Sequence, residues 1–147
     1  MGTEAFEVAS AFIKKFEGLN LKVYKCSAGV RTIGYGHAVK ASDNLGDVIT
    51  AEKAQELLKQ DILRACGCLR RNLKGVFLSF NQVAALVSFI FNLGSGCFQS
   101  SALRQKLLRG EYELAAQELK RFVYVGGKKI KGLVSRREAE QRLFKTI

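Results

Sequence analysis

FEGLNLKVYKCSAGVRTIGYGH, Phe16 to His37, is the stretch on which the reading of the fold turns. Two β-prone segments, LKVYKC and VRTIGYG, are joined by SAG, which predicts a hairpin with Gly29 in its turn. Just upstream, Phe6, Ala9, Phe12, Ile13 and Phe16 recur at helical spacing, so an amphipathic helix is expected from Thr3 to Glu17, stopped by Gly18. Glu17 therefore stands at a helix end that runs into a chain reversal, a firmer mount for a carboxylate than a loop. Gly34 and Gly36 weaken a strand and let a ligand or another backbone come close.

Downstream, KASDNLGDV has no periodicity and reads as a loop. Thr50 can cap a helix whose one face carries Ala54, Leu57, Leu58, Ile62 and Ala65, and Ser79 with Gln82 forms a capping box before VAALVSFIFNLG. That segment is apolar nearly all round, as a helix at the centre of a fold must be. Ser100 or Ser101 opens a shorter helix ending at Gly110; Leu114, Ala115, Leu119 and Phe122 mark another; Ser135 with Glu138 reads as a capping box opening RREAEQRLF. The expectation is one mostly helical α+β domain over residues 1–147, with a helix at 3–17, a β-hairpin lobe at 18–48 and a helical lobe at 49–147. The chain has no proline, which suits a helix-rich protein.

With 147 residues and 48% apolar composition, the chain can fill one core. Its 24 Lys+Arg against 13 Asp+Glu give a net charge of +11, spread along the sequence. Such a field suits a polyanion: nucleic acid, an acidic membrane surface or an anionic cell envelope. No run of 18 apolar residues exists, and Glu4, Glu7, Lys14 and Lys15 interrupt the first segment, so neither a membrane span nor a signal peptide is read there. An export segment removed ahead of Met1 would leave the same pattern. Cys66 and Cys68 lie two apart in a helical stretch and point to different sides, and Cys26 and Cys97 complete a set without metal or disulfide spacing. Reduced thiols, no metal and no cofactor are expected.

Alone, each residue of the opening stretch has an ordinary explanation. A helix-end Glu is commonly a solvated charge, a strand Thr a β-former, and a Cys a small buried hydrophobe. Jointly they suggest more. Eight residues separate Glu17 from Cys26 and five separate Cys26 from Thr32, so the helix end and both hairpin strands can bring all three to one cleft. A glycosidase needs a carboxylic acid for the leaving oxygen and a second group that attacks the sugar or activates water. Here the second group is not a carboxylate. Cys26, with an ordinary pKa of about 8.5, is a poor base as a thiol. As a thiolate beside a cation such as Arg31 it can act as base, or less readily as nucleophile.

FEG, C after eight residues, T five later and then IGYGH resemble the active-site segment of phage lysozymes, the muramidases of glycoside hydrolase family 24. The resemblance extends through TAEKAQELLKQDI, LSFNQVAALVSFIFNLGSGCF, SALRQKLLRGEYELAAQELKRFVY and GLVSRREAEQRLF, nearly the whole chain. It implies a lysozyme-like fold and hydrolysis of the β-1,4 bond between N-acetylmuramic acid and N-acetylglucosamine. Glu17 would protonate the glycosidic oxygen, and Thr32 would help hold water on the far face of the sugar, with inversion. Cys26 stands where the T-even branch has aspartate and a lambdoid branch cysteine. Ser100, Ser101 and Leu103 would lie near the substrate groove. The family often has a tryptophan where this chain has Phe122 and Tyr124, and no Trp occurs anywhere. The implied setting is synthesis in a host cytoplasm and action on peptidoglycan strands in an anionic envelope, as a monomer released through a holin-type pore.

Three rivals remain in view. Cys26 with His37 would suit a cysteine amidase, although no Asn or Asp is obviously placed to orient the imidazole. KRFVYVGGKKIKGLVSRR interleaves aromatic and basic residues as a nucleic-acid-binding module would, yet nucleic acid is not the expected partner. A lytic transglycosylase needs only one acid, the muramic 6-hydroxyl replacing water. RTIGYGH as a phosphate loop lacks both the Lys and the strand-to-helix context.

Overall fold

A computed structural model describes residues 1–146. Helix α1 (Thr3–Glu17) runs into a three-stranded antiparallel sheet of β1 (Asn20–Lys25), β2 (Arg31–Gly34) and β3 (His37–Ala38), in that order. A single 3-10 turn, Ala41–Asp43, leads to α2 (Ala51–Asn72), α3 (Phe80–Leu93), α4 (Ser95–Gln99), α5 (Ala102–Leu108) and α6 (Tyr112–Leu119). A short hairpin of β4 (Tyr124–Val125) and β5 (Lys128–Lys129) precedes α7 (Lys131–Lys145).

Local signals explain most of these elements. Gly18 takes φ 68° and its N–H donates to the Lys14 carbonyl at 2.9 Å, closing α1 with a backbone that a side chain would strain. The Thr50 hydroxyl accepts from Lys53 N–H, and Ser79 and Gln82 cap α3 reciprocally. Ser101 caps α5 by accepting from Arg104 N–H. Ser135, in contrast, lies inside α7, which begins at Lys131 behind an Ile130 N-cap. The β4–β5 hairpin explains that difference: its return strand delivers the chain five residues earlier than the capping pattern suggests. β3 and the β4–β5 hairpin are too short to leave a period in the sequence.

α3 is the central post. Seven consecutive residues, Ala84 to Ile90, are buried, because α1, α2 and α7 surround it. Ile13, Leu58, Ile62, Leu86, Phe98, Leu103 and Leu119 complete a core in which each large side chain contributes about 1.5–3 kcal/mol. Phe122 fills its site by meeting Phe89 edge to face, with centroids 4.9 Å apart at 90°. A second small cluster, Ile33, Ile49, Ala54 and Leu57, pins the sheet to the start of α2. Cys66 and Cys68 are both buried in the main core, and all four thiols are free. Among the described residues, no helix is long and apolar enough to cross a membrane.

Candidate active site

The last turn of α1 presents Glu17 to the sheet, with its side chain 18% exposed. Arg136 of α7 donates through Nη1 to Glu17 Oε2 at 2.6 Å. The other oxygen, Oε1, packs on the backbone of Gly36 so closely that a Cβ there would lie 2.5 Å from it. Gly36 also has φ 72°, so both its backbone conformation and its lack of a side chain serve the placement of Glu17.

Arg136 is itself held in a buried network. Its Nε donates to Ser88 Oγ at 3.3 Å, Ser88 Oγ donates to Glu140 Oε2 at 2.6 Å, and Arg137 Nη2 donates to Glu140 at 2.9 Å and to Asn92 Oδ1 at 2.8 Å. Arg137 and Glu140 are wholly buried, and their 2.7 Å Nε–Oε1 contact offsets the burial that pushes the Glu140 carboxyl up. Two arginines against two carboxylates close the charge balance, so the network can anchor Glu17 without an orphan charge.

Across the hairpin, Tyr24 pairs with Thr32, and the pleat puts Tyr24, Cys26 and Thr32 on one face. The Tyr24 phenol is pushed up by burial and then by the charges of Glu17 and Cys26. Cys26 N–H donates to the Val30 carbonyl at 3.0 Å and Gly29 N–H to the Cys26 carbonyl at 2.8 Å, fixing the turn. The Cys26 thiol is held below its ordinary value by hydrogen bonds from the Val30 and Ala28 backbone, with Thr32 in support. Thr32 is buried, and its hydroxyl donates to the Val30 carbonyl at 2.9 Å.

Arg31 does not set the state of Cys26. It projects from the other face of β2 and pairs with Asp47 at 3.2 Å, largely in solvent. Backbone donors do the work expected of that cation. The cation nearest Glu17 is Arg136, 119 positions away, which no local pattern could reveal.

His37 is likewise removed from Cys26. Its Nδ1 lies 2.6 Å from Asp61 Oδ2 and its Nε2 2.9 Å from Asp43 Oδ2, and the ring is 2% exposed. With both nitrogens engaged by carboxylates, Asp61 first, the imidazole is pushed up and serves as a buried clamp between β3, the 3-10 turn and α2. The two aspartates that orient it come from the 3-10 turn and from the middle of α2, 6 and 24 positions away, with no spacing that marks them as partners. A Cys–His nucleophile pair is thereby overturned.

Ser100 is exposed and donates to the Gly96 carbonyl at 3.0 Å. Ser101 is buried, donating to the Phe98 carbonyl at 2.6 Å while capping α5, and Leu103 is enclosed in the core. Ser101 and Leu103 are thus enclosed at the α4–α5 corner, with Ser100 at its surface. Between Gly36, Lys40, Asp61, Arg64, Phe91 and Ser95 a crevice of about 180 Å³ opens beside β3. Among the described residues no group of three or more His, Cys, Asp or Glu side chains is placed to share a metal ion.

A carboxylate at a helix end, facing a small antiparallel sheet and backed by a helical lobe, defines a lysozyme-like glycoside hydrolase. Residues 14–140 match the phage lysozyme family, and the chain belongs to that family. It is a phage lysozyme of the endolysin type, a peptidoglycan hydrolase acting on the cell wall. An endolysin of Acyrthosiphon pisum secondary endosymbiont phage 1 is 41% identical over 144 residues, which are 95% of this chain and 97% of that protein. An endolysin of Bacillus phage PZA is 45% identical over 135 residues, 90% of this chain, although these span only 51% of that longer protein. Among solved structures, the muramidase domain of SpmX from Asticaccaulis excentricus superposes with a TM-score of 0.82 at 33% identity, covering 95% of each chain.

Proposed function

We propose that this chain is a single-domain muramidase that hydrolyses the β-1,4 bond between N-acetylmuramic acid and N-acetylglucosamine, with Glu17 as general acid and Cys26 and Thr32 placing and activating water. The observation that carries the reading is the mounting of Glu17. Its carboxylate is fixed on one side by Arg136 at 2.6 Å and on the other by Gly36, in front of a strand face that carries Tyr24, Cys26 and Thr32. Preorganisation of this kind is what a proton donor to a glycosidic oxygen needs.

Water approaching the far face of the sugar would meet Cys26, whose lowered pKa supplies a thiolate fraction able to take its proton. With Thr32 holding that water, attack opposite the leaving oxygen gives inversion. Cysteine at this position allies the chain with the lambdoid branch of the family. The enzyme works as a monomer on glycan strands, reaching them through a holin-type pore, and its charge of +11 favours the anionic envelope. Ser100, Ser101 and Leu103 would lie near the substrate groove, at the α4–α5 corner, where Ser100 alone of the three is exposed.

Product analysis by mass tests the reaction. Hydrolysis leaves reducing muramic ends throughout; anhydromuramic ends, lighter by one water, would make the protein a lytic transglycosylase and remove the water-holding roles of Cys26 and Thr32.

A further inference from the structure

We propose that the loop between α2 and α3, residues 73–79, is a contact for an anionic phospholipid surface, with Phe77 entering the interfacial layer and Arg70, Arg71 and Lys74 meeting the headgroups. Phe77 is 91% exposed, more than any other large apolar side chain among the described residues, and Phe80 close by is 48% exposed. This exposure is imposed by the loop. Val76 and Leu78 turn inward onto the core, so the residue between them is driven outward.

The backbone leaves Phe77 no retreat. Val76 N–H donates to the Leu73 carbonyl at 3.2 Å, Tyr112 of α6 donates its hydroxyl to the Phe77 carbonyl at 2.9 Å, and Arg104 Nε donates to the Asn72 carbonyl at 3.2 Å. The Ser79–Gln82 capping box fixes the far end. A phenyl ring held out on a pinned loop loses little further freedom when it is buried in a second phase.

Charge selects that phase. Arg70, Arg71 and Lys74 are exposed, and among the described residues none of them takes part in an ion pair. Arg70 shares a cavity wall with Val76 and Leu78, and on the α1 side the Glu4 side chain lines a hollow with Leu78 and Phe80. A nucleic-acid duplex or an anionic wall polymer would satisfy the cations and leave Phe77 in water, and a single strand would offer the ring no more than one stacked base. Only a bilayer places an apolar layer directly beneath a sheet of negative charge. The loop lies beside the N-terminal end of α1, whose 15 residues rise about 22 Å to Glu17 at the other end, so docking here leaves the catalytic face free. This inference does not depend on the assignment of Cys26 or Thr32.

The absence of tryptophan from the chain allows a direct test. Phe77→Trp places a single indole at the loop tip, and Tyr124→Trp places one on the β4–β5 hairpin, where Tyr124 is 60% exposed beside Lys128 and Lys129. Both are titrated with vesicles of phosphatidylcholine alone and of phosphatidylcholine mixed with phosphatidylglycerol. The indole at 77 is expected to shift to the blue and resist acrylamide quenching with the mixed vesicles only, while that at 124 stays unshifted. Phe77→Ser, checked for native circular dichroism, should bind mixed vesicles on the order of tenfold more weakly and still hydrolyse soluble peptidoglycan at the wild-type rate. No shift at 77, a shift at 124 as large as that at 77, or an unchanged vesicle affinity of Phe77→Ser would each overturn the proposal.

Discussion

Arg136 Nη1 lies 2.6 Å from Glu17 Oε2 and joins the last turn of α1 to α7 across 119 residues. Breaking that pair leaves carboxylates facing a site built for a guanidinium. Arg136→Met should therefore cost about 3–5 kcal/mol of stability in urea unfolding and lower muramidase activity severely. Glu17→Gln retains an acceptor for Arg136, so it should unfold within about 1 kcal/mol of wild type yet show no lysis of outer-membrane-stripped cells. Residual lysis by a folded Glu17→Gln enzyme would remove Glu17 from its proposed role.

Gly36→Ala tests the opposite wall of the carboxylate. The new methyl would meet Glu17 Oε1 at 2.5 Å and impose φ 72° on a residue with a Cβ, at a strain of about 1–2 kcal/mol. A displaced acid should lower kcat by about 100-fold with a much smaller change in KM. Equal kcat and a matching melting temperature would show that the contact is slack.

The state of Cys26 is read from a pH profile of wild type, Cys26→Ser and Cys26→Asp. Because backbone hydrogen bonds hold the thiol below its ordinary value, wild-type kcat/KM should rise with pH through that lowered value as thiolate forms. Cys26→Asp should stay active with this rise moved to lower pH, and Cys26→Ser should lose most activity and the rise with it. Equal activity of Cys26→Ser would leave the thiol a packing residue.

His37 predicts the pH dependence of stability. Its folded pKa is raised by Asp61 and Asp43, so its contribution is complete below the unfolded value of about 6.5 and is lost as pH rises through the folded value. Asp43 is held down chiefly by His37; its contribution is present above about pH 4 and disappears as pH falls through its lower folded value. Urea unfolding across this range should show the clamp at full strength between these limits, and His37→Gln should flatten the fall on the alkaline side. An unchanged alkaline slope in His37→Gln would assign the pH dependence to other groups.

Spacing and caps determine much of this protein directly. Phe6, Ala9, Phe12, Ile13 and Phe16 lay out α1, Gly18 stops it, Thr50 and Ser79 start α2 and α3, and Gly29 turns the hairpin, because each depends on neighbours within one or two turns of chain. The face shared by Tyr24, Cys26 and Thr32 follows from the same two-residue period. Where an element is two residues long, as in β3 and β4–β5, too few side chains exist to set a period, and Ser135 could be read as a cap although the helix had already begun.

Tertiary structure alone decided which charges meet. Arg136 and Arg137 look like solvated helix residues, yet both are buried against Glu17, Ser88 and Glu140; Arg31 looks like a neighbour of Cys26, yet it faces Asp47. His37 looks free to serve Cys26, yet it is locked between Asp43 and Asp61. Ion pairing depends on distance in space and on exclusion of water, and neither leaves a local mark on the chain. Local periodicity and caps lay out the scaffold and the residue types on the candidate active face, while packing of α7 onto α3 and of the sheet onto α2 fixes how each of those residues is held.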